Sequence, residues 1–433
     1  MCYPQEKFRE YGSYKNNKPF TIKMHTLISF LLIVILILPS AVFSLGSVYE
    51  SLTPGDISYN WLNYKFGILQ LVILVIGILE IICQRQGIAV IIFSIALIRE
   101  ILLFFVYDNS IFTDSAYEMY LTIFVGYSIF LIAHRYLNKF ELLDKFYGTF
   151  LITNMITIYI NVAMGGRGTT STEAELAHIE GRYHASNLDV GGTGTLCLLC
   201  IIYLYFSKIK NAYRYPLILL SIIGLILSGS RSAVVFIIIL IGYYLLKSLL
   251  QSLKKSTMKV HITTLYKIIV AIVLISIITM FAFSNTSFIF THIDLQRFEA
   301  LLSVASVSSD SSVQGRFASI ADAIDIIVNN PLGISGYFVN LQTEMIVRGF
   351  PTFPHSSLLS NYILFGPIIF GVYFIWGYFL DKEKKYNNKY FWIILYYTVS
   401  TIAFGGPTVN FKVIFAMILS TYLAFKSLSN EER

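Results

Sequence analysis

Apolar runs of about twenty residues recur from one end of this chain to the other, and that recurrence constrains its fold more than any single motif. A run of that length matches the hydrocarbon thickness of a bilayer, and only helices or closed barrels satisfy their backbone hydrogen bonds there. Such runs centre near Val34, Val75, Ala96, Phe124, Met155, Leu199, Ser221, Ile238, Val273, Ile369, Leu395 and Met417, giving about 12 transmembrane helices. The chain is 56% hydrophobic and 13% charged over 433 residues, with a mean hydropathy of +0.67. Soluble chains carry roughly one-quarter charged residues, so a water-soluble fold is excluded. Residues 1–24 read as a cytoplasmic N-terminal tail and 25–433 as a single polytopic transmembrane domain. Met24 follows the polar tail and offers a second possible start, and the first run reads as an uncleaved anchor because it lacks a small-residue cleavage site.

The formal charge of +7 would suggest nucleic acid in a soluble protein. Here it follows the rule that Lys and Arg collect in cytoplasmic loops. With both termini cytoplasmic, 23 of the 32 positive residues fall in inner segments and six in outer ones, while Lys65, Arg99 and Lys412 lie in or at the ends of helices. The six outer residues are Arg167, Arg182, Arg231, Arg297, Arg316 and Arg348, all arginine. Guanidinium groups bind phosphate through planar paired hydrogen bonds and keep their charge in partly dry sites. An outward-facing anionic ligand is the inference.

Two outer loops are long, at about 165–190 and 285–354, and loops of that length tend to carry function or disorder. The first gathers Arg167, Glu173, Glu175, His178, Glu180, Arg182, His184 and Asp189. Glu175, His178 and Arg182 share a helical face. This cluster is able to bind sugar hydroxyls or supply a carboxylate, and a solvated surface explains it equally well. In the second loop, Phe317, Ile320, Ala321, Ile324 and Ile327 recur at helical spacing between Arg316 and Val328, and Asn329, Asn330, Pro331 and Gly333 form a stop. The expectation is an amphipathic helix lying on the outer membrane surface or capping the helix bundle, with a Ser-rich linker (303–312) before it.

Four further residues stand out. Arg231 lies in Ser228-Gly229-Ser230-Arg231-Ser232-Ala233 between two apolar runs that look short for full spans. Short helices would draw the tip below the headgroups, where an unpaired charge is costly; snorkelling at a helix end is the plainer account. His355 in Pro354-His355-Ser356-Ser357 opens the tenth span, where the helix dipole disfavours imidazolium and keeps a proton-accepting nitrogen; an interfacial anchor is the alternative. Glu80 and Arg99 lie in apolar runs and are expected to neutralise each other between adjacent helices, with a transporter proton site as the rival reading.

The four cysteines, Cys2, Cys83, Cys197 and Cys200, lie in the tail or in apolar runs, so no disulfide framework is implied. The CxxC of Cys197 and Cys200 has no second ligand pair and reads as packing. Phosphate loops, dinucleotide fingerprints, the nucleophile elbow and a close Asp-x-Asp pair are all missing from the sequence. No cofactor, no metal and no nucleic acid are expected.

Three stretches together resemble the O-antigen polymerase and ligase superfamily. They are Ser228 to Ala233; Gly315-Arg316 with the helix running to Asn329-Asn330-Pro331-Leu332-Gly333; and Pro354-His355-Ser356-Ser357-Leu358-Leu359 running into Leu364-Phe365-Gly366-Pro367 and Gly371. The resemblance spans Pro216 to Phe374. It implies an all-α, GT-C-like membrane protein of the bacterial cytoplasmic (inner) membrane, acting at the outer face on an undecaprenyl-diphosphate-linked glycan. It also implies that Arg231 and Arg316 contact the lipid diphosphate and that His355 is catalytic or positions the substrate. Arg167, Arg182, Glu175, His178, Asp189 and Arg348 are then candidates for binding the glycan. Where many members carry Asn after this His, Ser356 stands here. The polymerase branch is favoured over the ligase, with membrane lipid and a polysaccharide chain-length regulator as partners to test. A flippase or other transporter is the rival from another class, though the paired helical repeats expected of one are not seen.

Overall fold

The computed structural model describes residues 24–37, 68–83, parts of 87–102, 114–163, 183, 185, 190–254, most of 320–333, 356–383, 388–404 and 411–431. Every described element is helical. In chain order these are α1 (Met24–Ile37), α2 (Ile68–Cys83), α3 (Asp114–Tyr136), α4 (Phe140–Ala163), α5 (Val190–Phe206), α6 (Asn211–Ser228) and α7 (Arg231–Lys254). They are followed by α8 (Ser357–Phe365), a 3₁₀ turn (Gly366–Ile369), α9 (Phe370–Lys382), α10 (Lys389–Val399), a π turn (Ser400–Phe404) and α11 (Phe411–Glu431). Unlabelled helical residues also occur within 87–102 and 320–329.

Three helices, at Phe140–Ala163, Asn211–Ser228 and Phe411–Ser429, are each long and apolar enough to cross a bilayer, and shorter apolar helices accompany them. The chain is a multi-pass membrane protein. Ten of the expected centres fall within described elements. Ala96 lies between described helical residues, and Val273 lies outside the described residues.

Aromatic and aliphatic side chains from α3, α4, α5, α10 and α11 form the core. Tyr147, Phe150, Leu199, Ile394 and Phe415 are all fully or almost fully buried. Glycine brings helix axes close where the packing is tightest. A Cβ on Gly126 of α3 would stand 2.9 Å from the Phe411 carbonyl of α11, and one on Gly77 of α2 would collide with Ser128 of α3.

Charge sorts the bundle into two ends. At one, the α3–α4, α5–α6 and α9–α10 connections meet the last turns of α11. Asp144 accepts from Lys389 and from the Tyr390 hydroxyl, Lys426 donates to the Asn138 carbonyl at 3.0 Å, and Asn388 donates to Ser427 at 3.2 Å. Cations here lie over tyrosine rings, with Lys389 over Tyr203 at 4.3 Å, Arg214 over Tyr215 at 5.0 Å and Lys426 over Tyr422 at 5.4 Å. Amphipathic rings and snorkelling cations are the usual furniture of a headgroup layer.

Glu80 belongs to this basic end, where Arg135 is its ion-pair partner. The expected Glu80–Arg99 pairing is therefore corrected. Arg99 instead donates from Nε to the Leu332 carbonyl at 3.0 Å, at the opposite end. Apolar periodicity gave both charges a depth but not an end, and a helix traversed in the other direction separates them.

Candidate functional site

The opposite end collects the motifs. α6 closes on Gly229, whose φ of 63° is the left-handed cap conformation that glycine adopts without steric cost. Its N–H donates to the Ile226 carbonyl at 3.0 Å. Ser230 then turns the chain, its N–H donating to Ser228 Oγ at 3.3 Å, and Arg231 becomes the first residue of α7. The backbone amides at this start point out of the helix and favour negative charge.

α6 has 18 residues and α7 has 24, lengths of about 27 and 36 Å at 1.5 Å per residue. Packing buries the turn between them. Ser228 and Ser230 are buried, and a Cβ on Gly194 of α5 would lie 2.2 Å from the Cβ of Ser230. Only a glycine on α5 lets the turn sit this close.

The first long loop reaches the same place. The Tyr183 N–H donates to the Leu227 carbonyl at 2.9 Å, and the Ala185 N–H donates to Thr193 Oγ1 at 2.8 Å. Tyr183 is buried, and that burial raises its phenol above the usual range, keeping it neutral. Arg182 and His184 are its sequence neighbours. One residue past Gly194, Thr195 hydrogen-bonds the Tyr396 hydroxyl of α10 at 2.9 Å, and α10 then runs into the π turn. Single π turns are frequent at functional sites.

Ser356 joins the third motif to this turn. Its Oγ donates to the Ile402 carbonyl at 3.0 Å and caps α8 by accepting from the Leu359 N–H at 3.5 Å. The serine that replaces the more usual Asn therefore has a defined structural task. α8 has nine residues, about 13 Å, before Gly366 breaks it at φ 68°. The expected uninterrupted tenth span is corrected to a short helix, a 3₁₀ turn and then α9, because Gly366-Pro367 cannot continue the α-helical ladder.

The loop helix docks on that break. Gly333, at φ 81°, donates its N–H to the Asn330 carbonyl at 2.9 Å, which is the expected stop. The Tyr362 hydroxyl donates to the Pro331 carbonyl at 2.8 Å. A Cβ on Gly333 would lie 2.5 Å from Arg99 Nη2 and 2.7 Å from the Ile363 carbonyl, so glycine is required by space as well as by φ. Along this helix Ala323 and Ile326 are buried, Ile320 and Ile327 are half-buried, and Ala321 and Ile324 are exposed.

Residues 216–374 match the O-antigen ligase family model. The match covers a little over a third of the chain and has the bounds from which the three motifs were read. It takes in α6, α7, α8 and the loop helix, the elements whose ends converge here. Enzymes described by that model are membrane glycosyltransferase-type ligases and polymerases of polysaccharide biosynthesis. No curated protein and no solved structure matches the chain.

Of the sequence-derived site residues, Arg231 is placed by its backbone at the start of α7. His355, Arg316, Arg167, Arg182, Glu175, His178, Asp189 and Arg348 lie outside the described residues. Their nearest described neighbours along the chain are Ser356, Ile320, Ala163, Tyr183 and Val190. Among the described residues no group of His, Cys, Asp and Glu is arranged to hold a metal. Sequence reasoning missed the contribution of α5 and α10. The glycines at 191, 192 and 194 were the available signal, being out of place in an ordinary apolar helix.

Proposed function

We propose that this chain is a polymerase that joins undecaprenyl-diphosphate-linked oligosaccharide repeat units into O-antigen or capsular polysaccharide at the outer face of the cytoplasmic membrane. The observation that carries the reading is the convergence, at the end of the bundle away from its basic face, of the Ser228–Arg231 turn, the Asn330–Gly333 stop and the Ser356 cap, all within the family match.

In the proposed reaction a sugar hydroxyl of the acceptor attacks the anomeric carbon of the donor glycan. The new glycosidic bond forms as the bond to diphosphate breaks, and the electron pair departs with the lipid diphosphate. The hydroxyl proton passes to His355 or to a carboxylate of the first long loop such as Glu175 or Asp189. Arg231 and Arg316 stabilise the charge that collects on the leaving diphosphate. Arg167, Arg182, His178 and Arg348 lie in the loops suited to hold the glycan.

The description of the matched family favours a second reading, transfer of the same donor onto lipid A core. Lipopolysaccharide gels of a deletion strain separate the two. A single repeat unit on core means polymerase, and unattached polymer means ligase. Purified protein in liposomes with lipid-linked repeat units is expected to yield a ladder of longer lipid-linked products. Absence of any ladder contradicts the polymerase reading.

A further inference from the structure

Between Asp189 and Asp294 the chain holds no acidic residue. The α5–α6 connection lies inside that stretch and at the basic end, so Lys208, Lys210 and Arg214 have no carboxylate near them in sequence, and the first turn of α6 holds none either. Elsewhere at this end the protein matches its own cations. Arg135 pairs with Glu80 and Lys389 with Asp144, and Lys426 donates to the Asn138 carbonyl. Lys145 stands four residues after Glu141 on α4, and Lys382 lies between Asp381 and Glu383. By contrast, Lys208 and Lys210 are exposed and make no ion pair or hydrogen bond among the described residues.

The connection is also held in shape. Ser207 donates from Oγ to the Leu204 carbonyl at 2.8 Å. Arg214 reaches back across the connection, donating from Nη1 to the Ser207 carbonyl at 3.3 Å and from Nη2 to the Tyr215 hydroxyl at 3.2 Å, while its Nε has no acceptor. A loop already ordered loses little freedom when it takes a ligand. Around the three cations, Tyr205, Tyr213 and Tyr215 are 50%, 66% and 59% exposed, and such rings suit the level of lipid headgroups. From Tyr215, Leu219 and Ile223 follow at intervals of four along one side of α6, both exposed. Ammonium and guanidinium groups bind phosphate. Cations at the head of an exposed apolar stripe therefore match an amphiphile with a negatively charged phosphate better than a free anion.

We propose that the α5–α6 connection is a binding site for an anionic phospholipid, whose phosphate sits among Lys208, Lys210 and Arg214 and whose acyl chain lies along Leu219 and Ile223. The site needs no transferase activity and holds whichever end faces the cytoplasm. The test is native mass spectrometry of the purified full-length protein in detergent, titrated with phosphatidylglycerol, phosphatidylcholine or inorganic phosphate. Wild type is expected to bind its first phosphatidylglycerol about tenfold more tightly than phosphatidylcholine, and the Lys208→Gln/Lys210→Gln/Arg214→Gln variant is expected to lose that preference. The Lys139→Gln/Lys145→Gln/Lys382→Gln variant removes the same charge from exposed positions at the same end and is expected to keep it. Equal binding of the two lipids by wild type, an unaltered preference in the first triple variant, or equal loss in both variants overturns the proposal. Displacement of bound phosphatidylglycerol by an equal concentration of inorganic phosphate also overturns it, since that marks a site for free anions. Because Arg214 closes the connection, Lys208→Gln/Lys210→Gln takes the place of the first triple variant should that fail to fold. A wild-type preference in this double variant overturns the proposal equally.

Discussion

At the scale of single residues, charge placed where charge develops is what the proposed chemistry requires. Loss of one donor that stabilises a leaving group typically costs about 10²–10³ in kcat. Arg231→Ala and Arg316→Ala are each expected to abolish visible chain extension while expression in membranes stays intact, and normal polymer length in both would remove the diphosphate assignment. For His355→Ala the expectation is a loss of about 10²–10⁴, measured as initial rate of ladder formation, and full activity would move the base to another residue. Ser356 shows how far residue identity alone carries. Its place beside His355 was plain in the sequence, but its hydrogen bond to Ile402, 46 positions away, has no local signature. Lys412 was visible as a charge in an apolar run. Its partner Asn154, 258 positions away, was not.

Helices and turns were legible to a different degree. Length and apolarity alone located nearly every described helix, since a bilayer permits little else. The stop at Asn330–Gly333 was equally plain because Asn, Pro and Gly act locally. The error lay at Gly366, where Gly366-Pro367 outweighs the apolar length that suggested one uninterrupted span. The packing of the Ser228–Arg231 turn depends on Gly194, where any side chain strikes Ser230. Gly194→Val is expected to cost transfer activity by forcing the turn outward, since overpacking costs about 1–3 kcal/mol. A retained ladder at wild-type rate would show that the turn need not sit against α5. At the basic end, Asp144 joins α4 to α10 through Lys389 and Tyr390. Asp144→Ala strands the lysine, and breaking a buried pair costs roughly 3–5 kcal/mol. Because both partners keep some exposure, the lower end of that range applies. A drop in detergent melting temperature is the check, and an unchanged value would reduce the pair to surface decoration.

On the scale of the whole molecule, the account rests on the separation of two ends. Lys389, Lys426, Arg135 and Arg214 gather at one with tyrosine rings beneath several of them. The motif-bearing turns gather at the other, together with Arg99 and the start of α7. The sequence led to this arrangement through the bias of Lys and Arg among its loops, and the described connections between helices fall into two separate groups. Which group faces the cytoplasm decides whether a lipid-linked glycan is able to reach Arg231, Arg316 and His355. The most direct measurement is labelling of single cysteines by a membrane-impermeant maleimide in intact cells, with cysteine placed at Arg316, Arg348 and His355 and, for the basic end, at Lys139 and Lys426. The account predicts rapid labelling of the first group and labelling of the second only after the membrane is opened. Labelling of Lys139→Cys and Lys426→Cys in intact cells, with the other three protected, would contradict it.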